Sequence, residues 1–389
     1  MKKLFYFAAA AVALAACAKN EVIPVNSGEN QEITFNVAPK TKATTTFDKN
    51  FKFKAWAYYL PGTVKWDERG NTTPELYIDG AVIANTNPTG TDGVWKAEDK
   101  TSYYWPKNGS LTFFAYSLNK TDLSFKTVAT TEEGGSHVTC ATGSGIYAVI
   151  DLSVDKNVDF LVADIKADQT ANTTNTGENG KYYNDGVPTL FRHRLSYVAF
   201  NVKTLKDYSK EGKRLDLKSI TFNKISSYGE YRQVAAGEAF PSGFKASDDA
   251  GHVGTVSYTR IPMTESPFTM EIKSSNTGSG VLVSDTDNYL YIPQTFAKGS
   301  NANQNAYIEV KYTITTKVGK DEHNADIVVK EDVTKQIFLN PADGTKMFDK
   351  WEMGKKYTIN LTFTLDEILW DPAVQEWEDV IPAAGYDVK

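Results

Sequence analysis

A chain of 389 residues with a formal net charge of −6 and 2 cysteines is long enough to bury cores for two ordinary domains. It has too few cysteines for a disulfide-built scaffold. The acidic balance, with no basic stretch interleaved with aromatics, argues against nucleic acid as a partner. Its 21 Tyr and 20 Phe, with abundant Thr and Asn, suit twisted, half-buried strands.

The chain opens on Lys2 and Lys3, followed over 4–15 by an apolar run too short to cross a bilayer as a mature helix. Leu14-Ala15-Ala16-Cys17 then places small residues before a cysteine. That order predicts a lipoprotein signal peptide over 1–16 and acylation of Cys17 as the new amino terminus. An ordinary secretory peptide cut after Ala16 would leave Cys17 a bystander and the spacing without a use. Each buried acyl methylene contributes about 0.8 kcal/mol, so two or three chains suffice as an anchor. No later segment approaches twenty apolar residues, and Cys140 is left without an internal disulfide partner. The sequence thus predicts an exported, tethered protein.

Residues 17–31 are polar and Asn/Glu-rich, as expected of a flexible tether. A strand is expected over 32–37, where Ile33, Phe35 and Val37 share one face. Pro39 ends it, and a basic, polar loop carrying Lys40 and Lys42 follows. Strand patterns then recur at 51–59, 111–116, 148–152, 160–163, 198–202, 220–222, 289–292 and 307–314, with further elements opening at Trp95 and closing at Tyr103-Tyr104-Trp105-Pro106. The cleanest alternation covers 357–365, where Tyr, Ile, Leu and Phe alternate with Thr and Asn. Amphipathic helices are nearly absent, so the fold class is all-β, built of sandwiches. The Thr/Asn/Gly-rich stretch 168–187 reads as a long surface loop. It divides the chain into sandwich domains at 32–189 and 190–389.

Chemistry is sparse. Gly143-Ser144-Gly145 lacks the third glycine and the βα context of a nucleotide loop. Asp285-Thr286-Asp287-Asn288 begins like a calcium loop but has Leu290 where the turn needs glycine. His137, His193, His252 and His323 are scattered. His137 and Cys140 are three residues apart, in what reads as a flexible loop unsuited to a positioned thiolate–imidazole pair. His193, between two arginines, reads as a strand residue satisfied by a backbone carbonyl. Tyr103, Tyr104 and Trp105 read either as a sugar-stacking platform or as the closing edge of a sandwich. No catalytic residue, metal site or cofactor is assigned.

Several blocks together resemble the fimbrillin family of lipoproteins, subunits of the type V pili of Gram-negative anaerobes. They are 53–61, Tyr103-Tyr104-Trp105-Pro106 with 111–116, Leu190-Phe191-Arg192-His193-Arg194-Leu195, Tyr291-Ile292-Pro293-Gln294-Thr295, and Trp370-Asp371-Pro372-Ala373-Val374-Gln375-Glu376-Trp377. The resemblance implies two tandem transthyretin-like β-sandwich domains. It further implies export to the outer membrane and surface assembly by strand exchange. In that scheme a trypsin-like protease cuts the loop behind the first strand, Lys42 being the first candidate and Lys40 the second, although Lys42 could equally be a solvated loop lysine. Ile33, Phe35 and Val37 would be plug side chains that leave with the lipid. A neighbour's carboxy-terminal tail would then fill the groove, using Ile368, Trp370, Val374 and Trp377, with Val380 and Ile381 beyond. The alternative for that tail is an intramolecular last strand. Expected partners are other pilus subunits, the outer membrane through the anchor, and a host or glycan ligand. The second reading is a lipid-anchored glycan-binding protein that stacks sugars on Trp56, Trp66, Trp95 or Trp105; an enzyme is the weakest.

Overall fold

The structure, a computed structural model, describes residues 31–37, 47–90, 93–125, 135–142, 144–155, 158–171, 186–234, 242–248, 258–259, 270–272, 281–283, 290–344 and 348–376. The fold is all-β, and among the described residues the single helical turn is a 3-10 turn at Tyr208–Glu211.

The first half supplies β1 (Phe35–Asn36), β2 (Phe53–Leu60), β3 (Glu75–Asn85), β4 (Trp95–Ala97), β5 (Ser110–Ser117), β6 (His137–Ala141), β7 (Gly145–Asp151), β8 (Leu161–Ala163), β9 (Lys166–Gln169), β10 (Val187–Pro188) and β11 (Phe191–His193). One sheet runs β10-β1-β4-β3-β2-β5-β8-β11, with β9 also paired to β5. Phe35 of β1 lies three strand places from Phe53 of β2 and four from Phe113 of β5. Strands are spaced about 4.8 Å apart, yet these ring centroids are only 5.4 and 5.8 Å apart. The sheet therefore curls around its contents, and one apolar cluster fills the inside: Phe35, Phe47, Phe53, Trp95, Phe113, Phe191 and their neighbours.

That sheet is buried on both faces. Along β2, Phe53, Ala55 and Ala57 point into the curl, while Trp56, Tyr58 and Leu60 point outward into a second core. All of β5 is buried for the same reason, which is why apolar residues run on without alternation over Phe113-Phe114-Ala115-Tyr116. The outer face is covered by a second sheet, which β6 and β7 share with β14 (Tyr228–Arg232) and β15 (Gly243–Ala246), in the order β15-β14-β7-β6. β3 escapes the sequence reading because Asp79-Gly80 looks like a turn. In the structure Gly80 adopts φ +61 within an irregular stretch of the β2–β3 ladder, and a Cβ there would sit 3.0 Å from the Trp56 ring.

The second half adds β12 (Ser196–Thr204), β13 (Lys213–Asn223), then β16 (Tyr258–Thr259), β17 (Met270–Glu271), β18 (Val281–Val283), β19 (Leu290–Tyr291), β20 (Gln294–Thr295), β21 (Tyr307–Lys320), β22 (Asp326–Phe338), β23 (Lys350–Trp351), β24 (Lys355–Phe363) and β25 (Ile368–Glu376). Two sheets, β18-β12-β24-β25 and β16-β13-β21-β22, enclose a third core. Phe200 meets Phe222 at 5.4 Å and Phe363 meets Tyr312 at 5.1 Å. β24 alternates as its sequence predicts: Tyr357, Ile359, Leu361 and Phe363 are buried and the residues between them half-buried. Its partner β12 runs parallel to it, from Tyr197↔Lys356 to Thr204↔Phe363.

Candidate functional site

The segment 31–37 is shorter as a strand than its sequence suggests, since only Phe35 and Asn36 pair as one. It is nevertheless bonded on both flanks. The Ile33 amide donates to the Tyr103 carbonyl (2.7 Å) and the Trp105 amide donates to the Gln31 carbonyl (3.0 Å), with Glu32 bridging Tyr104 between them. On the other side the Val187 amide donates to Thr34 O (2.7 Å) and the Thr189 amide to Asn36 O (3.0 Å), beside the parallel β1–β10 pairing. Close approach there depends on Gly186 (φ +87), because a Cβ at that position would lie 2.5 Å from Thr34 O. Ser102 Oγ and Lys96 Nζ hold the Glu32 carboxylate at 2.8 and 3.6 Å.

Ile33, Phe35 and Val37 are 3–5% exposed and all face the inside of the curl. Phe35 meets Phe53 and Phe113 edge-on, near 84° and 89°. Fully burying an aliphatic or Phe side chain stabilises by about 1.5–3 kcal/mol, and an edge-to-face aromatic pair adds about 0.5–1.5. The chain re-enters the same core at Phe47, whose ring stacks on Phe191 at 5.0 Å. The connection 38–46 thus joins two buried residues of one cluster. Lys40 and Lys42 lie within it, outside the described residues, as does Cys17. If 31–37 were withdrawn, Phe53, Phe113 and Val187 would lose their apolar cover, and backbone groups at 103–105 and 187–189 would lose their partners. None of these flanking contacts was visible in sequence, because the partners lie far along the chain; Gly186 just before the Val-Pro of β10 was the available signal.

At the other end, β25 turns back on β24 in an antiparallel ladder from Phe363↔Ile368 to Lys355↔Glu376. Thr364 makes the turn, its amide and Oγ1 both donating to Glu367 O at 2.9 Å. Ile368 and Trp370 pack against the third core, and Trp370 meets Phe348 at 6.1 Å. Val374 is 54% exposed. Trp377, Val380 and Ile381 fall outside the described residues. β25 is the last strand of its sheet and carries Asp371, Pro372 and Glu376, residues that discourage unplanned edge pairing.

The remaining candidates resolve structurally. Trp56, Trp66, Trp95 and Trp105 are 4–7% exposed and belong to the cores, so they present no face to a sugar ring; that is a correction to the glycan-stacking reading. Of the Tyr103-Tyr104-Trp105 block, only Tyr104 is substantially exposed, and its backbone bridges Glu32. His137 and Cys140 lie on a strand rather than in a loop. Their odd spacing puts the side chains on opposite faces, which rules out a thiolate–imidazole pair more firmly than flexibility would. Cys140 faces the second core, and burial pushes its thiol up to about 12. His193 is buried with Nδ1 3.0 Å from the Asp159 carboxylate, not a backbone carbonyl. The 285–288 turn and His252 lie outside the described residues. Among the described residues no group of His, Cys, Asp and Glu is arranged to hold a metal ion, and no helix is long and apolar enough to cross a membrane.

Comparison with known proteins accords with this architecture. The chain is 23% identical, over an alignment of 399 positions covering 95% of each protein, to the fimbrium subunit Fim1C of Phocaeicola vulgatus. A crystal structure of a fimbrial protein from Bacteroides vulgatus superposes with a TM-score of 0.59 over 90% of this chain and 100% of that one, at 18% identity, a likeness of fold. The fimbrillin-like family model matches residues 41–377, nearly all of the chain after its first strand. The chain is therefore a member of the fimbrillin-like family, and so a structural subunit rather than an enzyme.

Proposed function

We propose that this protein is a subunit of a surface fimbria, made as a lipoprotein precursor acylated at Cys17 and assembled by donor-strand exchange. In this reading the body comprises two tandem transthyretin-like sandwich units divided near 189/190, the first taking in β11, β14 and β15 from beyond that point. A protease cuts after Lys42, or after Lys40, and the segment bearing Ile33, Phe35 and Val37 departs with the lipid. The tail of a neighbouring subunit, released from the ladder it makes with its own β24 and led by Ile368, Trp370, Val374 and Trp377, then occupies the vacated groove. Its partners are accordingly other pilus subunits and, before processing, the outer membrane; a host or glycan ligand at the fimbrial surface belongs to the same proposal.

The observation that carries the reading is the position of 31–37. It is a short strand wedged between β10 and the β4 side of the sheet, with three side chains in the core and a nine-residue connection, 38–46, behind it. Long continuous ladders are hard to extract, whereas a two-residue strand held by a few flanking backbone hydrogen bonds and three buried side chains is a replaceable part. Burial of its three apolar side chains amounts to several kcal/mol, enough to keep the uncut chain closed and to reward a replacement strand.

The test is trypsin nicking of the purified chain followed by electrophoresis without boiling. The expected result is a cut in 38–46, loss of the amino-terminal fragment and a ladder of oligomers that collapses to monomer on boiling. A chain that is cut there, loses the fragment and stays monomeric would overturn the proposal.

A further inference from the structure

β21 and β22 form a hairpin whose far half leaves the body of the protein. The near half is anchored, with Ile308, Val310, Tyr312, Ile314 and Ile337 buried in the third core. Beyond them, residues 317–320 of β21 and 326–332 of β22 are all exposed. A bare two-stranded ribbon is marginal in water, and a polar one would be unremarkable, but this one carries Val318, Ile327, Val328 and Val329 at 59%, 46%, 42% and 56% exposure. β22 is also the last strand of its sheet, so one row of its backbone donors and acceptors faces outward beside three consecutive apolar residues. Long apolar edges of this kind invite another strand.

We propose that this edge pairs with β22 of a second copy of the chain, antiparallel and two-fold symmetric, with Val328 opposite its counterpart. The choice of occupant rests on self-complementarity. In a two-fold pair extending one sheet, directly opposed residues share a face, so only registers centred on a residue are allowed. Centring on Val328 sets Ile327 against Val329 of the second copy, twice over, and Asp326 against its Lys330, again twice. Asp326 already accepts from Lys317 across its own hairpin, so each end of the joined ribbon would carry a three-charge cluster of alternating sign. Centring on Val329 instead opposes Asp326 to Asp332 and Ile327 to Glu331. Centring on Lys330 opposes two ammonium groups and sets Val328 against Asp332. The favoured register therefore matches apolar to apolar and acid to base, and the next two along the strand do neither. The contact is independent of the groove occupied by 31–37, so it would join subunits side by side without cleavage.

The experiment uses the uncut chain in a Cys17→Ser background. Sedimentation equilibrium across a concentration series should show a reversible shift to twice the chain mass. Val328→Lys should weaken the dimer at least about tenfold, equivalent to about 1.4 kcal/mol, with unchanged thermal unfolding. Val328→Cys should form a covalent dimer on mild oxidation, since opposed Cα atoms in an antiparallel pair lie within disulfide range in either type of site. Thr334→Cys, far from its own counterpart in this register, should not. A chain monomeric at all concentrations, a Val328→Lys variant that dimerises like the parent, or cross-linking through Thr334 instead of Val328 would each overturn the inference.

Discussion

Replacing Phe35 with alanine is expected to loosen the amino-terminal segment selectively. The ring is 4% exposed and wedged edge-on between Phe53 and Phe113, and Phe→Ala in a packed core costs about 3–5 kcal/mol. In a two-residue strand flanked by Ile33 and Val37, that loss acts first on docking of 31–37 and only then on the sandwich. Four amides report docking directly: Ile33, Trp105, Val187 and Thr189, each donating across the boundary of the segment. At about 1.4 kcal/mol per decade, their protection against hydrogen exchange should fall by two to three and a half orders of magnitude in Phe35→Ala. Amides of β24 in the other core should change little. Native-state hydrogen exchange resolved by NMR or fragment mass spectrometry reads both sets. If the four amides keep wild-type protection, or if β24 loses protection to the same degree, the segment is not a separately dockable piece and the reasoning fails.

Two further outcomes follow from local geometry. Gly186→Ala forces a Cβ against Thr34 O in a backbone conformation that L-residues avoid, and should cost about 1–3 kcal/mol; an unchanged urea midpoint would contradict the close approach. The Cys140 thiol, pushed up to about 12 chiefly by burial, stays protonated at pH 8. A thiol-disulfide reagent should therefore label the folded Cys17→Ser chain at least about a hundredfold more slowly than the unfolded chain, and equal rates would refute the assignment of Cys140 to the core.

Sequence patterning revealed those parts of the fold in which one residue's neighbour decides its environment. The Thr/Asn alternation of β24 and the shared face of Ile33, Phe35 and Val37 are of this kind, since a period of two fixes a face without reference to anything distant. Patterning failed where environment is set from afar. β22 has almost no core-facing residues along its first seven positions, so nothing in Asp326-Ile327-Val328-Val329 announces thirteen paired residues; its partner β21 supplies the order. β3 was hidden by Asp79-Gly80, a turn signal that Trp56 covers with its ring. The candidate site divides the same way. The shared buried face of Ile33, Phe35 and Val37 was legible, whereas the clamp around them, Tyr103 and Trp105 on one flank and Val187 with Gly186 on the other, depends on contacts spanning tens of residues. His193 illustrates the limit for single residues, because its place on a strand was readable but Asp159 as its partner was not.

The parallel pairing of β12 with β24 carries a consequence for the order in which the molecule can be completed. A ribosome delivers β12 near the middle of the chain and β24 almost last, yet β24 is the interior strand between β12 and β25 and supplies Ile359, Leu361 and Phe363 to the third core. Until that late strand arrives, Phe200 and Phe222 enclose a gap, and the carboxy-terminal half has no finished interior. Loop closure over so long an intervening stretch is slow, so the carboxy-terminal half stays loose from the delivery of β12 until β24 emerges, and locks abruptly near the end. Truncations just short of Lys355 should accordingly forfeit the whole second half rather than a single strand.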